Sequence, residues 1–461
     1  MRNPLSLIAL LLLFFAGACT YIETDPGQIK LGELDPEILE MMQAVSADSL
    51  QLKIETLVNF GTRHTMSETE SDTFGIGAAR RWIKRELDRY SMQSGSRLTV
   101  EYYKFLQEST LRIPNTVNIV NIVATLPGTD PADDRVFVVS GHYDSRASNR
   151  MDSESLAPGA NDDASGTAAV MELARVMSIY SFPATLVFMA VAGEEQGLLG
   201  ARRWATDATS GSKHIAGMIT NDIIGNPESE NGTLSAPNLV RLFARGVPAD
   251  GVLGLETVRY LQIGGESDMP TRQLARTIKE VSESYSESME VKLIYRTDRY
   301  MRGGDHQAFL EQGVPAVRFS ELYETYNHQH QDVRETDGVR YGDRAEYIDY
   351  DYLKRVTDIN LSALANLARS PKPPANVGIN VTELENDTRL RWSDSESDNL
   401  AGYEVLWRET TSPVWQHKEF VGANTHFTLE NVSKDNWLFG VRSVSVGGHV
   451  GVPVFPMPFR E

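Results

Sequence analysis

The sequence predicts an α/β protein, with a mostly parallel central sheet flanked by helices and a small C-terminal β-sandwich. Three observations carry that expectation. Between residues 98 and 224, strand-like runs alternate with stretches of helical period, the pattern of a largely parallel sheet covered on both faces. Two of the runs, Val136–Ser140 and Leu186–Val191, are continuously apolar instead of alternating, as strands buried on both faces must be. After the proline-rich Ser370–Pro374 the chain changes to short segments of alternating apolar residues without helical period.

The elements follow in order along 461 residues, enough for two or three domains at roughly 150 residues each. Arg2, the apolar run Leu5–Phe15 and then Ala16-Gly-Ala-Cys19 have the plan of a signal peptide over residues 1–18. The run falls short of the roughly 20 apolar residues a membrane span needs. Small residues before the lone cysteine resemble the bacterial lipoprotein lipobox. That resemblance implies lipidation at Cys19, a lipid anchor to the membrane and, with Thr20 following, an outer-membrane lipoprotein of the cell envelope. Ala16 stands where leucine is usual, which leaves a periplasmic or secreted protein as the alternative. Residues 19–49, acidic and broken by Pro26 and Pro36, are expected to be a tether, and the main domain to span 50–369. Its first clear helix covers Thr73–Tyr90, where Ile76, Ala79, Ile83, Leu87 and Tyr90 recur at helical spacing. Strands are predicted at 98–103, 116–126, 136–140, 185–192 and 217–224, with helices at 166–180 and 197–207. Residues 370–374 form a linker, and 375–461 the sandwich, whose Trp392, Tyr403 and Leu429 resemble the fibronectin type III core pattern.

Composition narrows the chemistry. Hydrophobic residues at 41% and charged residues at 23% exclude wholesale disorder and a polytopic membrane protein. With 44 Lys and Arg against 63 Asp and Glu, the net charge of −19 repels phosphate backbones, so nucleic acid is not an expected partner; no partner protein is inferred either. A single cysteine excludes an intramolecular disulfide and a thiolate zinc cluster, so a metal site here must use His, Asp and Glu.

Those residue types collect after predicted strands, where open α/β sheets bind ligands. Gly141-His142-Tyr-Asp144 follows one strand, and Gly159-Ala-Asn-Asp162-Asp-Ala-Ser-Gly166 opens a helix. Gly193-Glu194-Glu195-Gln-Gly-Leu-Leu-Gly200 follows the strand Leu186–Val191, and Asn221-Asp222 ends another. Each alone has a bland reading, such as a hydrogen-bonded histidine or a carboxylate at a helix N-terminus. Adjacent glutamates at a strand mouth are harder to dismiss, because like charges there need a cation or a raised pKa. Together they suit a divalent cation.

The order His142-x-Asp144, Asn161-Asp162, Glu194-Glu195, Asp222 and a late histidine resembles the co-catalytic dizinc aminopeptidase family, the bacterial leucyl aminopeptidases among them, over roughly residues 50–367. The resemblance implies a zinc exopeptidase fold and two Zn2+ ions per chain. Asp162 would bridge them, His142 and Asp222 complete one, and Glu195 with the late histidine complete the other. Motif register favours His330 for that last ligand, with His328 as the alternative. The resemblance makes Glu194 the general base acting on a hydroxide that bridges the metals, and Asp144 the acceptor of the second ring N–H of His142. Asp305 and His306, in Gly303-Gly-Asp-His306, are its candidate substrate contacts. The implied activity is an extracytoplasmic aminopeptidase acting on peptides. The alternatives are a single-zinc glutaminyl cyclase, a carboxypeptidase or dipeptidase on the same fold, and a non-catalytic binding lipoprotein. Retention of His142 beside the other ligands argues for two metals, and an intact Glu194 against loss of catalysis.

Overall fold

A computed structural model of the chain describes residues 31–248 and 254–460. The signal segment, Cys19 and the start of the expected tether lie outside the described residues. The rest of that stretch is a correction. From Pro36 the chain forms α1 (Pro36–Ala44) and α2 (Ala47–Val58), whose N-termini are capped by the side chains of Asp35 and Ser46. Ile38, Met41, Leu50, Ile54 and Leu57 are fully buried in the main core, so these residues cover the body of the protein and do not tether it. Helix α3 (Gly75–Gln93) lies near its predicted place, with Ile76, Ala79, Ile83, Leu87 and Tyr90 buried.

Eight strands make one sheet: β1 (Thr99–Gln107), β2 (Val117–Leu126), β3 (Arg135–His142), β4 (Thr185–Val191), β5 (His214–Asn221), β6 (Leu239–Ala244), β7 (Glu290–Ile294) and β8 (Ala316–Glu321). Their spatial order is β1-β2-β4-β3-β5-β8-β6-β7. The centre, β4-β3-β5-β8, is parallel, while β1/β2, β2/β4 and β6/β8 are antiparallel. Strands β6 to β8 extend the sheet beyond the five predicted runs. Successive residues of the central strands feed opposite faces: Phe137 and Val139 pack into one core and Val138 into another, as do Leu186 and Phe188 against Val187 and Met189. This is why those runs are apolar throughout. The larger core lies under α1 to α3, α4 (Ser165–Met177), and, after α5 (Leu199–Ser210) and α6 (Leu255–Gln262), under α7 (Pro270–Tyr285) and the long α9 (Tyr350–Arg369). The smaller one is closed by α5 and the short α8 (His306–Leu310).

A hairpin of β9 (Arg334–Thr336) and β10 (Val339–Tyr341) precedes α9. After the proline segment come β11 (Ala375–Asn380), β12 (Thr388–Ser393), β13 (Leu400–Glu409), β14 (His417–Phe420), β15 (His426–Leu429), β16 (Trp437–Ser445) and β17 (Met457–Phe459). They form two sheets, β15-β12-β11-β17 and β14-β13-β16. The sheets share a core in which Trp392 and Leu429 of one meet Tyr403, Val405 and Phe439 of the other, a small sandwich. Fully buried Arg408 of β13 binds Asp268 at 2.8 Å, and Arg442 of β16 binds Glu280 of α7 at 2.7 Å, so the sandwich docks on the main body through ion pairs. No helix among the described residues is long and apolar enough to cross a membrane.

Candidate active site

Four adjacent parallel strands end at one edge of the sheet, and each delivers a polar segment there. His142 is the last residue of β3, Glu194 and Glu195 follow β4, Asp222 follows β5, and the turn carrying His330 follows β8. Asp162 comes from the turn that opens α4. That turn is drawn against β3 by two glycines: a Cβ on Gly141 would lie 2.4 Å from the backbone of Gly166.

These residues form two clusters of potential ligand atoms, His142, Glu194 and Asp222 in one and Asp162, Glu195 and His330 in the other, with the atoms of each within 4.8 Å of one another. Asp162 joins them. Its Oδ1 lies 3.2 Å from His142 Nε2, and its Oδ2 lies 2.9 Å from His330 Nε2. Gln329 donates to the same Oδ2 at 2.9 Å. The neighbouring carboxylates hold the His142 imidazole well above its usual pKa against the effect of burial, and push His330 up to about 10. The two histidines in turn hold the Asp162 carboxyl well below the carboxylate range although burial opposes it. Burial, with Glu195 and Asp222 nearby, raises Glu194 well above its usual value. Four carboxylates facing two imidazoles leave an excess of negative charge at the floor of a cleft. Carboxylate oxygens and imidazole nitrogens at this spacing are the donor set of zinc in a sulfur-free site, so the residues fit the metal.

Supporting residues fix this arrangement, and most of them carried no sequence signal. Asp343, following the β9-β10 hairpin, accepts from the backbone N–H of Asn161 and of Asp162, the latter at 2.7 Å, and burial pushes its carboxyl up to about 7. Asp163 accepts from the backbone N–H of His142 at 2.9 Å and of Gly166 at 2.8 Å, pinning β3 to the start of α4. Arg318 of β8, fully buried, donates to the carboxylate of Asp222 at 3.1 Å. Arg146 lies 3.1 Å from Glu195 and 2.7 Å from His330 Nδ1. Only Asp163 lies inside a motif legible in the sequence.

Three expectations are modified by this geometry. Asp144 does not take the His142 ring N–H on its carboxylate, which is 3.7 Å away; its backbone carbonyl lies at 3.1 Å from Nδ1 instead. The Asp144 carboxylate accepts from the backbone N–H groups of Glu194 at 3.3 Å and Glu195 at 3.2 Å and from the Thr65 hydroxyl, so it orients the glutamate pair. Asp305 and His306 are buried behind the cleft wall: His306 Nε2 bonds the Thr297 carbonyl at 2.8 Å, and the adjacent surface of the cleft is formed by Gly303 and Gln307. His328 turns away from His330, stacks on Tyr347 at 3.7 Å, and is pushed down to about 4 by burial. Of the two late histidines, His330 is the one in the cluster.

Comparison with known proteins agrees with the fold and with zinc as the metal. The model of peptidase family M28 matches residues 121–364. A probable zinc metalloprotease of Leptosphaeria maculans is 45% identical over 424 residues, covering 92% of this chain and 97% of its own length. A probable zinc metalloprotease of Pyricularia oryzae is 44% identical, covering 94% and 84%. These relatives are fungal, not bacterial, and the matches extend into the C-terminal sheets. Among solved structures, LapA of Legionella pneumophila superposes with a TM-score of 0.52 at 17% identity, covering 73% of this chain and 77% of that one. An aminopeptidase of Aneurinibacillus does so with 0.50 at 16% identity, covering 72% and 96%; both show the fold. The chain belongs to peptidase family M28 and is a zinc metallopeptidase.

Proposed function

We propose that this protein is an extracytoplasmic exopeptidase that holds two zinc ions and releases N-terminal residues from peptides. The observation that carries the reading is Asp162, whose two oxygens face one histidine each. In that disposition His142, Asp222 and Asp162 would hold one ion, and Glu195, His330 and Asp162 the other. Bound zinc supplies Lewis-acid polarisation of the scissile carbonyl and a water of lowered pKa. Glu194, which lines the cleft beside both clusters, takes the proton of the attacking water and returns it to the leaving amine. Asp144 keeps Glu194 and Glu195 in register through their backbone N–H groups, Arg318 orients Asp222, and no Ser or Cys nucleophile is required. The aminopeptidase direction is supported by the fold it shares with the Aneurinibacillus enzyme.

The test is release of free amino acids from peptides by zinc-loaded protein. Release should stop on chelation and fall by about 10²–10⁴-fold in Glu194→Ala with zinc retained. Full activity in that variant would remove the proposed base. The location rests on the sequence before Cys19: a Cys19→Ala variant should move from the membrane fraction to the soluble one, and unchanged partition would rule the anchor out.

A further inference from the structure

The cleft above the clustered carboxylates encloses about 740 Å³, and its walls are rich in one residue type. Six arginines line it, Arg112, Arg146, Arg150, Arg202, Arg299 and Arg302, and no lysine does. They come from every side: the β1-β2 loop, the loop after β3, α5, and the loop between β7 and α8. In a chain with a net charge of −19 this local reversal is not a property of the surface at large.

The balance of charge inside the cleft sharpens the point. The acidic residues on its surface are Asp162, Glu194, Glu195 and Asp222, all four assigned above to metal binding or proton transfer. No further carboxylate lines the cleft to recognise a cationic side chain. The arginines are only partly spoken for. Arg202 pairs with Glu311 at 2.8 Å, and Arg299 is held by both Asp298 at 2.9 Å and Glu324 at 2.8 Å, while Arg302 has only a share of Glu324 at 2.7 Å, a carboxylate that also binds Arg241. Arg112 and Arg150 are exposed and make no ion pair among the described residues. A guanidinium presents a planar fork that matches a carboxylate, so arginine instead of lysine marks recognition of that group over general positive charge.

We infer that this cleft selects acidic peptides, with a Glu or Asp side chain at the released residue or the one after it held by Arg112, Arg150 and Arg302. The inference rests on the exopeptidase reading and adds its substrate class.

The experiment compares kcat/KM of the zinc-loaded full chain for matched peptides carrying Glu, Gln or Lys at each of those two positions, each made both with an amidated and with a free C-terminus. In parallel, fluorescence anisotropy measures binding of a labelled Glu peptide and its Gln counterpart to zinc-loaded Glu194→Ala. Glu should exceed Gln by about tenfold or more at one position, with Lys the poorest. The Glu/Gln ratio should fall toward one in the Arg112→Ala/Arg150→Ala double variant and shrink as salt screens the cleft. Equal turnover of Glu and Gln peptides, a preference for Lys, or a ratio untouched by the double variant overturns the acidic selection while leaving the exopeptidase reading intact. Efficient turnover that requires a free C-terminal carboxylate, whatever the side chain, also overturns it and assigns the arginines to carboxypeptidase action. If no peptide is cleaved, the exopeptidase reading fails, and the anisotropy pair decides the selection by itself: tighter binding of the Glu peptide supports it, equal binding refutes it.

Discussion

A carboxylate that offers one oxygen to each of two histidines can serve two cations at once, and Asp162 is held in that pose by its backbone bond to Asp343 and by Gln329. His330→Ala should therefore lose one zinc per chain and most activity, whereas His328→Ala, which removes a ring stacked on Tyr347, should keep both ions. Elemental analysis of the two purified variants distinguishes them, and equal metal loss would contradict the assignment. His142, Asp162, Glu194, Glu195 and Asp222 were legible in the sequence because each follows a strand or opens a helix at a fixed place in its motif. Arg146, Arg318 and Asp343 were not, because a positioning contact depends on which distant segments the sheet order brings together. Asp305 and His306 misled for a related reason: their spacing is right for a site, but they fall on the inner side of the turn into α8, where burial holds Asp305 up to about 7 and lowers His306.

At the scale of elements, the apolar runs of the central strands specify the sheet, while α1 and α2 are not legible in the sequence because Pro26, Pro36 and the surrounding acidic residues give that stretch the composition of a tether. Glu172, in the middle of α4, ties these helices in. It is fully buried and accepts from Ser46 N, Ser49 Oγ, Lys53 Nζ and Arg175. Arg175 and Lys53 lower its carboxyl from 4.5 to about 2 against the effect of burial. Lys53 is itself pulled down by burial, which offsets part of the gain. A carboxyl depressed in the folded state stabilises fully above its unfolded pKa, so this contribution is present above about pH 4.5 and is lost as pH falls toward about 2. Glu172→Ala leaves Lys53 buried without its partner and should cost about 3–5 kcal/mol in urea unfolding at neutral pH. Glu172→Gln should flatten the pH dependence of stability across the same window. A loss below about 1 kcal/mol, or an unchanged acid profile, would mean that the helices contribute little to the body of the protein.

Over the whole molecule, the sandwich meets the catalytic body through two fully buried guanidiniums, Arg408 and Arg442. Asp268, fully buried, binds Arg408 and lies 3.4 Å from Arg276, while Arg442 pairs with Glu280 on α7. Such contacts cost desolvation on each side and are satisfied only when both units are folded, so calorimetry should record one cooperative transition. Asp268→Ala strands two buried guanidiniums and should lower the midpoint of that transition. Two separate transitions in the wild-type chain would show that the units unfold independently. The presence of a sandwich was legible from alternating Trp, Tyr and Leu positions; its docking was not, since Arg408 and Asp268 are far apart in sequence and each reads alone as an ordinary surface charge. The central claim, that this fold gathers ligands for two ions around Asp162, is tested most directly by zinc content per chain in purified, zinc-equilibrated protein. Two ions, both depleted in Asp162→Ala, is the expected result; a single ion that survives that substitution would contradict it.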